Sequence, residues 1–462
     1  MNRTKKRLQV KKEYIYYGVI IAFFIGVAIT CPPKLYGDSE QFISMHVHRE
    51  PVYPLFLWFF RTLFGENIYL NIAAWAQNLL NAFASIIFLR FFVKEFELNH
   101  LKKVLATIFI LLPHIMTPLM SQAHIVLSSA VMNEAIGLPL FLLYIVVLLD
   151  YIYRGKKSTL VGSVALGLLL SLIRGSMMIT LIAWMLVVTV RFIYEKKWKF
   201  ILLPLLAMLM LFGVRGTLFK VYNYVVNDIY VATVCGNMNL VTNILYASER
   251  SSGELIEDDL SRELYYKIYD AAWENGLNHH FAGTNLYDRT AHLENNHDTL
   301  KFDYILQITA DYYYENIGDD YLARNIWQDE VCANIAHSIL PSCLGRWIGQ
   351  YIMLSINGLV RSVAFVHPMV ILPVLFMLFF AFGLCMYSFI KKTYQKEALA
   401  VIIALMMVFA NAFGTATVIM CLSRYMIYGF SLFYITFGIL IFEYGSDLIK
   451  HISKIREKEY EL

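Results

Sequence analysis

Ten stretches of the chain are apolar enough to read as membrane-spanning helices, and polar, charge-rich segments separate them. A helix that crosses the hydrocarbon core needs about 20 apolar residues. The runs at 14–31, 68–93, 104–119 and 131–149 predict four spans. Residues 160–190 are too long for one span, and the break at Arg174 and Gly175 predicts a tight pair, the fifth and sixth. Residues 200–214, 370–390, 398–420 and 425–442 predict the remaining four. The first run is followed by Pro32, Pro33 and Lys34, without a small-residue cleavage site, and is expected to be a retained anchor.

Basic residues mark every second connection. They crowd residues 3–12, 94–103, 154–157, 191–199, 391–396 and 450–458. Short cytoplasmic loops collect Lys and Arg, so both termini are expected on the cytoplasmic side. Three parts follow. Residues 1–214 form an N-terminal transmembrane module whose first outer loop is 32–67. Residues 215–366 form a mostly helical extracytoplasmic segment. Residues 367–462 carry the last three spans and a basic tail. In the middle part, Leu255, Leu260, Leu264 and Ile268 have helical spacing. Residues 344–366 are apolar but hold Arg346, Asn357 and Arg361, which suits an interfacial or half-buried helix better than a span.

Composition narrows the class further. Of the 462 residues, 58% are hydrophobic and only 16% charged, and the mean hydropathy is +0.54. Soluble domains are nearer 45–50% apolar and about 25% charged. An ordinary soluble enzyme and a disordered chain are both excluded. An outer-membrane barrel is excluded because its strands alternate over about ten residues. The fold class is an all-α polytopic membrane protein with the bilayer as its solvent. The net charge of +4 gives no reason to expect nucleic acid as a partner. The cysteines show no metal-ligand spacing; Cys332 and Cys343 either pair or remain thiols. The two outer segments lack an N-x-[ST] acceptor, which fits a bacterial plasma membrane.

Candidate chemistry sits at the outer ends of the spans. The first outer loop carries Asp38, Glu40, His46, His48, Arg49 and Glu50, followed by the amphipathic, aromatic stretch 52–64. A carboxylate cluster beside an interfacial helix suits an enzyme that meets a lipid headgroup; a merely solvated loop is the alternative. Asn133 and Glu134 open the fourth span. An ionisable residue there faces a cavity or partner, or simply complements the helix dipole. Arg174 lies between the fifth and sixth spans, and Arg424 with Tyr425 opens the last. Arginine suits phosphate because its donors are rigid and always charged; snorkelling to lipid phosphate is the alternative.

The order of these residues resembles the GT-C superfamily of polyprenyl-phosphate-dependent membrane glycosyltransferases, most of all its protein mannosyltransferase and lipid A aminoarabinose transferase group. The residues that carry the resemblance are Asp38, Pro51-Val52-Tyr53-Pro54-Leu55, Leu63-Phe64-Gly65, Asn133-Glu134 with Pro139-Leu140, the run from Gly167 to Arg174, and Arg424-Tyr425. Gly429 stands where members often have proline, and residues 215–366 match nothing in the group. The resemblance implies a GT-C-like fold and an inverting transfer from a polyprenyl-phosphate sugar to an acceptor, with Asp38, or Glu40 beside it, as general base. Arg174, Arg424 and Tyr425 would hold the donor phosphate. His48, Arg49, Glu50, Asn133 and Glu134 would bind substrate. The acceptor class (protein, glycolipid or wall polymer) is open. So is the need for a divalent cation, Mg or Mn, since Asp38, Glu40, His48 and Glu50 have no metal-site spacing. A polysaccharide polymerase or ligase, and a lipid-linked sugar flippase or transporter, remain competing readings.

Overall fold

The computed structural model describes residues 2–120, 124–232 and 236–460. The described residues are helical apart from turns and loops, with one isolated bridge between Lys34 and Ala130. Among the described residues, nine helices are long and apolar enough to cross a membrane. They overlap every predicted span except the fifth. That segment is the helix Lys157–Ile173, whose 17 residues are short for a crossing. The predicted break is real. The helix ends at Arg174, whose backbone is extended (φ −155°), and Gly175–Met178 makes a tight 3₁₀ turn before Ile179–Tyr194.

Two boundaries differ from expectation. The seventh span does not stop at residue 214 but continues as one helix, Leu203–Asn227. Residues 344–363 are not a separate helix but the second, partly buried half of Tyr321–Val363, a 43-residue helix about 65 Å long at 1.5 Å per residue. Its first half buries Val331, Ile335, Ala336 and Ile339 against Gly236–Ala247; its second half buries Leu354, Leu359, Val360 and Val363 among the C-terminal spans. One rod therefore joins the 236–316 segment to the membrane bundle. Cys343 is a free thiol donating to the Ile339 carbonyl, so it is not bridged to Cys332.

Polar residues inside the bundle locate its working end. On Tyr69–Glu95, the amides Gln77, Asn78 and Asn81 and the hydroxyl of Ser85 are buried. Gln77 Nε2 donates to Tyr53 Oη at 2.8 Å, Asn78 Nδ2 to the Ser128 carbonyl at 3.2 Å, and Asn81 Nδ2 to the Ala135 carbonyl at 2.9 Å. Burying a polar group is costly unless it is hydrogen-bonded, and the three amide nitrogens are paired, while Ser85 Oγ has no partner among the described residues. These bonds clamp the turn that leads into Glu134–Arg154. The first loop is docked on the same turn: Val131 N donates to the Lys34 carbonyl at 3.2 Å, and Ser39 Oγ to the Val131 carbonyl at 2.8 Å. Asp38 is thus carried to Glu134 by the Lys34–Val131 backbone bond and by the Ser39 hydroxyl, whose partner lies 92 residues away in sequence.

At the opposite end, basic residues of the connections meet carboxylates. Arg154 and Lys396 both pair with Glu95, Lys102 with Glu443, and Lys103 with Glu13.

Candidate functional site

Asp38 caps the short helix Ser39–Ile43, and its carboxylate is held between two guanidiniums. Arg49 Nη2 donates to Oδ1 at 2.7 Å, and Arg424 Nη2 to Oδ2 at 3.2 Å. Arg49 is fixed in turn by Gln41, whose Oε1 accepts from Nε at 2.7 Å. Burial alone would raise the Asp38 carboxyl. Arg49 and Arg424 outweigh it and hold the group below its usual range. Burial here comes with two cations attached.

Glu134 opens its helix and is 1% exposed. Its Oε1 accepts from Arg174 Nη1 at 2.6 Å and lies 3.8 Å from Arg424 Nη1, while its Oε2 has no hydrogen-bond partner. Arg424 therefore bridges Asp38 and Glu134. Tyr425 packs beneath both arginines: the Arg174 guanidinium lies 3.7 Å from its ring centroid, and Arg424 Nη2 donates to its Oη at 2.9 Å. Asn411 Nδ2 fixes the Tyr425 carbonyl at 2.7 Å. Asn133 Nδ2 donates to the Ile173 carbonyl at 3.0 Å, tying the end of Lys157–Ile173 to Glu134. Glu50 Oε1 accepts from Gly175 N at 2.7 Å.

Eight of the ten predicted site residues thus form one connected group, and His48 lines the cavities beside them. Glu40 stands apart; it is exposed and lines neither of the cavities described next.

Asp38 lies on a wall shared by two cavities. The first, about 520 Å³, has Glu50, Glu134, Arg174 and Arg215 on its polar side and Met178, Ile179, Ile182 and Val418 on its apolar side. Met178 and Ile182 are themselves exposed on the bundle surface. The second, about 340 Å³, has Asp298, Lys301, Arg324, Gln328 and Tyr321 opposite Arg424. Asp38, His48, Arg49, Asn239, Ile419 and Tyr425 line both.

The charges differ. The first cavity carries three carboxylates (Asp38, Glu50, Glu134) against three arginines (Arg49, Arg174, Arg215). The second carries two carboxylates (Asp38, Asp298) against four cations (Arg49, Lys301, Arg324, Arg424). His48 and its neighbour His46 feel this surplus. Burial first, then the adjacent cations, push His48 down to about 3 and His46 to about 4, so both are neutral at pH 7. His46 Nε2 lies 2.9 Å from Tyr321 Oη, joining the first loop to the long helix.

Arg215, Lys301, Arg324 and Asp298 were not singled out in the sequence. They lie where no motif points, although Lys301 and Asp298 share one turn of a polar stretch. Metal ligation in the first loop finds no geometric support. No three of Asp38, Glu40, His48 and Glu50 bring ligand atoms together; among the described residues the trio that does is Glu249, His279 and His280.

Comparison with protein-family models, with curated proteins and with solved structures finds no match.

Proposed function

We propose that the protein is an integral membrane glycosyltransferase of GT-C type, moving a sugar from a polyprenyl-phosphate donor to an acceptor on the extracytoplasmic side, with both termini cytoplasmic. One observation carries the reading: a carboxylate is held by arginines on the wall between an apolar-sided cavity and a polar, cation-rich one. A lipid-phosphate sugar needs an apolar flank for its chain and guanidiniums for its phosphate. The first cavity offers both, with Arg174 and Arg215. An acceptor approaching from the second cavity meets Asp38 from the other side, as inversion requires.

In the transfer, an acceptor hydroxyl oxygen attacks the anomeric carbon, the bond from that carbon to the phosphate oxygen breaks, and the phosphate leaves with the electron pair. The acceptor proton passes to Asp38. Arg174 and Arg424 stabilise the charge growing on the phosphate. A carboxylate tied to two guanidiniums is a weak base at rest. A donor phosphate that takes Arg424 from Asp38 removes part of that restraint, so donor binding itself raises the basicity of Asp38. Glu134 holds Arg174 and Arg424 in place through their shared contact. The excess of cations over carboxylates in the second cavity suits an acceptor bearing a carboxylate or phosphate.

The test is transfer of labelled sugar from polyprenyl-phosphate donors by the protein reconstituted with a membrane extract as acceptor source. Turnover by wild type, lost in Asp38→Asn that still behaves as a folded, monodisperse protein, supports the reading. Transfer only from oligosaccharide-diphosphate lipids would make it a polymerase or ligase. Movement of lipid-linked sugar across the vesicle without transfer would make it a flippase.

A further inference from the structure

Away from Asp38, two short turns of the 236–316 segment face each other. Glu249 precedes the 3₁₀ turn Arg250–Leu255 and exchanges capping bonds with Ser252. His279–Phe281 is a second 3₁₀ turn. Asn278 binds the two together: its Oδ1 accepts from His280 N at 3.1 Å, and its Nδ2 donates to the Ser248 carbonyl at 3.2 Å.

This clasp aims both imidazoles at one carboxylate. His280 Nε2 lies 2.9 Å from Glu249 Oε2, and His279 Nε2 lies 3.4 Å from Glu249 Oε1. The three ligand atoms lie within 4.8 Å of one another. Donors about 2 Å from a tetrahedral zinc ion sit about 3.3 Å apart, so only a small closure is needed.

His279 supplies a second observation. It is 5% exposed, and neither ring nitrogen has a hydrogen-bond partner. A buried imidazole left without partners is costly unless something absent from the chain itself satisfies it. Around the trio, Arg346 Nη1 lies 3.1 Å from Glu249 Oε1, and Arg346 Nε donates to the Ala247 carbonyl at 2.7 Å. That leaves Oε2 for a ligand while Arg346 orients the carboxylate, the role outer partners play at metal sites.

We propose that Glu249, His279 and His280 bind one divalent transition-metal ion of the zinc class. His280 is half-exposed, so the trio is within reach of water. Imidazole with a single carboxylate suits zinc rather than magnesium or calcium, which take oxygen ligands. The ion fastens the 250–255 turn to the 279–281 turn and, through Arg346, to the long helix. Its role is structural, and it stands independently of the transferase reading.

The experiment uses the full chain carrying a tag without histidines, stripped with chelator in detergent and titrated with Zn²⁺, then with Co²⁺. Wild type is expected to retain one ion per chain, to give the strong visible bands of tetrahedral Co²⁺, and to melt at a higher temperature with zinc. His280→Ala changes a half-exposed side chain and Glu249→Gln preserves shape. Each is expected to weaken zinc binding about tenfold or more and to abolish the zinc-dependent melting shift, with gel filtration unchanged. The proposal is overturned if wild type retains no zinc, or if both variants retain it as tightly as wild type. In that event the trio is a carboxylate–histidine hydrogen-bond cluster and nothing more.

Discussion

The two cavities that meet at Asp38 are built in different ways. The first is lined by residues at the ends of spans, held by bundle packing and by the amides of Tyr69–Glu95. Its carboxylates and arginines balance, and Glu134 with Arg174 forms a buried pair. The second is closed by residues 298–328, which reach the bundle through the long helix Tyr321–Val363. Its cations exceed its carboxylates, and Met238, Phe302, Leu306 and Met420 share its wall with them. A balanced, half-apolar pocket retains a fixed partner such as a lipid phosphate. A cation-rich polar pocket suits an exchangeable anionic partner. Asp38 belongs to both, which is why its two oxygens are held by arginines from different parts of the chain.

The largest expected effect tests the shared wall. In the proposed transfer, Asp38→Asn lowers turnover about 10³-fold, within the usual range for loss of a general base, while polyprenyl-phosphate binding persists. A tenfold loss or less would remove Asp38 from the proton transfer. Next comes the buried pair. Arg174→Ala leaves Glu134 charged and nearly unexposed, which is expected to cost about 3–5 kcal/mol of stability in chemical denaturation. The double variant Arg174→Ala with Glu134→Gln should recover part of that loss, and no recovery would show that the two do not act as a pair.

Smaller effects separate the cavities. Arg215→Ala is expected to raise the KM for donor several-fold and leave the acceptor KM unchanged. Arg324→Ala, at the other end, should do the reverse. If both variants moved the same KM, the division into two sides would fail.

The smallest effect is a displacement along the pH axis. The guanidiniums hold the Asp38 carboxyl low, so its charge is present above the ordinary carboxylate value near pH 4 and is lost as pH falls through the lowered one. The acid limb of kcat/KM, which reports the free enzyme, should therefore lie below pH 4. If phosphate draws Arg424 away, the acid limb of kcat should lie higher, because it reports the complex. Coincident limbs would show that donor binding leaves the Asp38 ion pairs intact.

Much of the first cavity is legible in the sequence because isolated charges in apolar surroundings stand out. Asp38, Glu134, Arg174 and Arg424 sit at the ends of runs that hydropathy alone delimits, and these residues do converge. What holds them was harder to see. Gln77, Asn81 and Ser85 recur at four-residue spacing, a signal of one buried helical face, yet each alone is unremarkable in an apolar run. The ion pairs of Asp38 reach 11 and 386 residues along the chain, beyond any local pattern. The second cavity was nearly invisible. Pro341, Gly345 and Gly349 are poor helix formers, but packing at both ends keeps Tyr321–Val363 a single helix. Residues 298–307 pass through a π-helical turn that redirects Lys301 toward Asn239.

The most direct test of the account is to locate polyprenyl phosphate bound to the reconstituted protein by cryo-electron microscopy. The account predicts density for the phosphate within hydrogen-bonding distance of Arg174, the lipid chain running past Ile179 and Ile182, and Arg424 drawn from Asp38 toward the phosphate. Phosphate density among Lys301, Arg324 and Asp298 instead, with the first cavity empty, would contradict it.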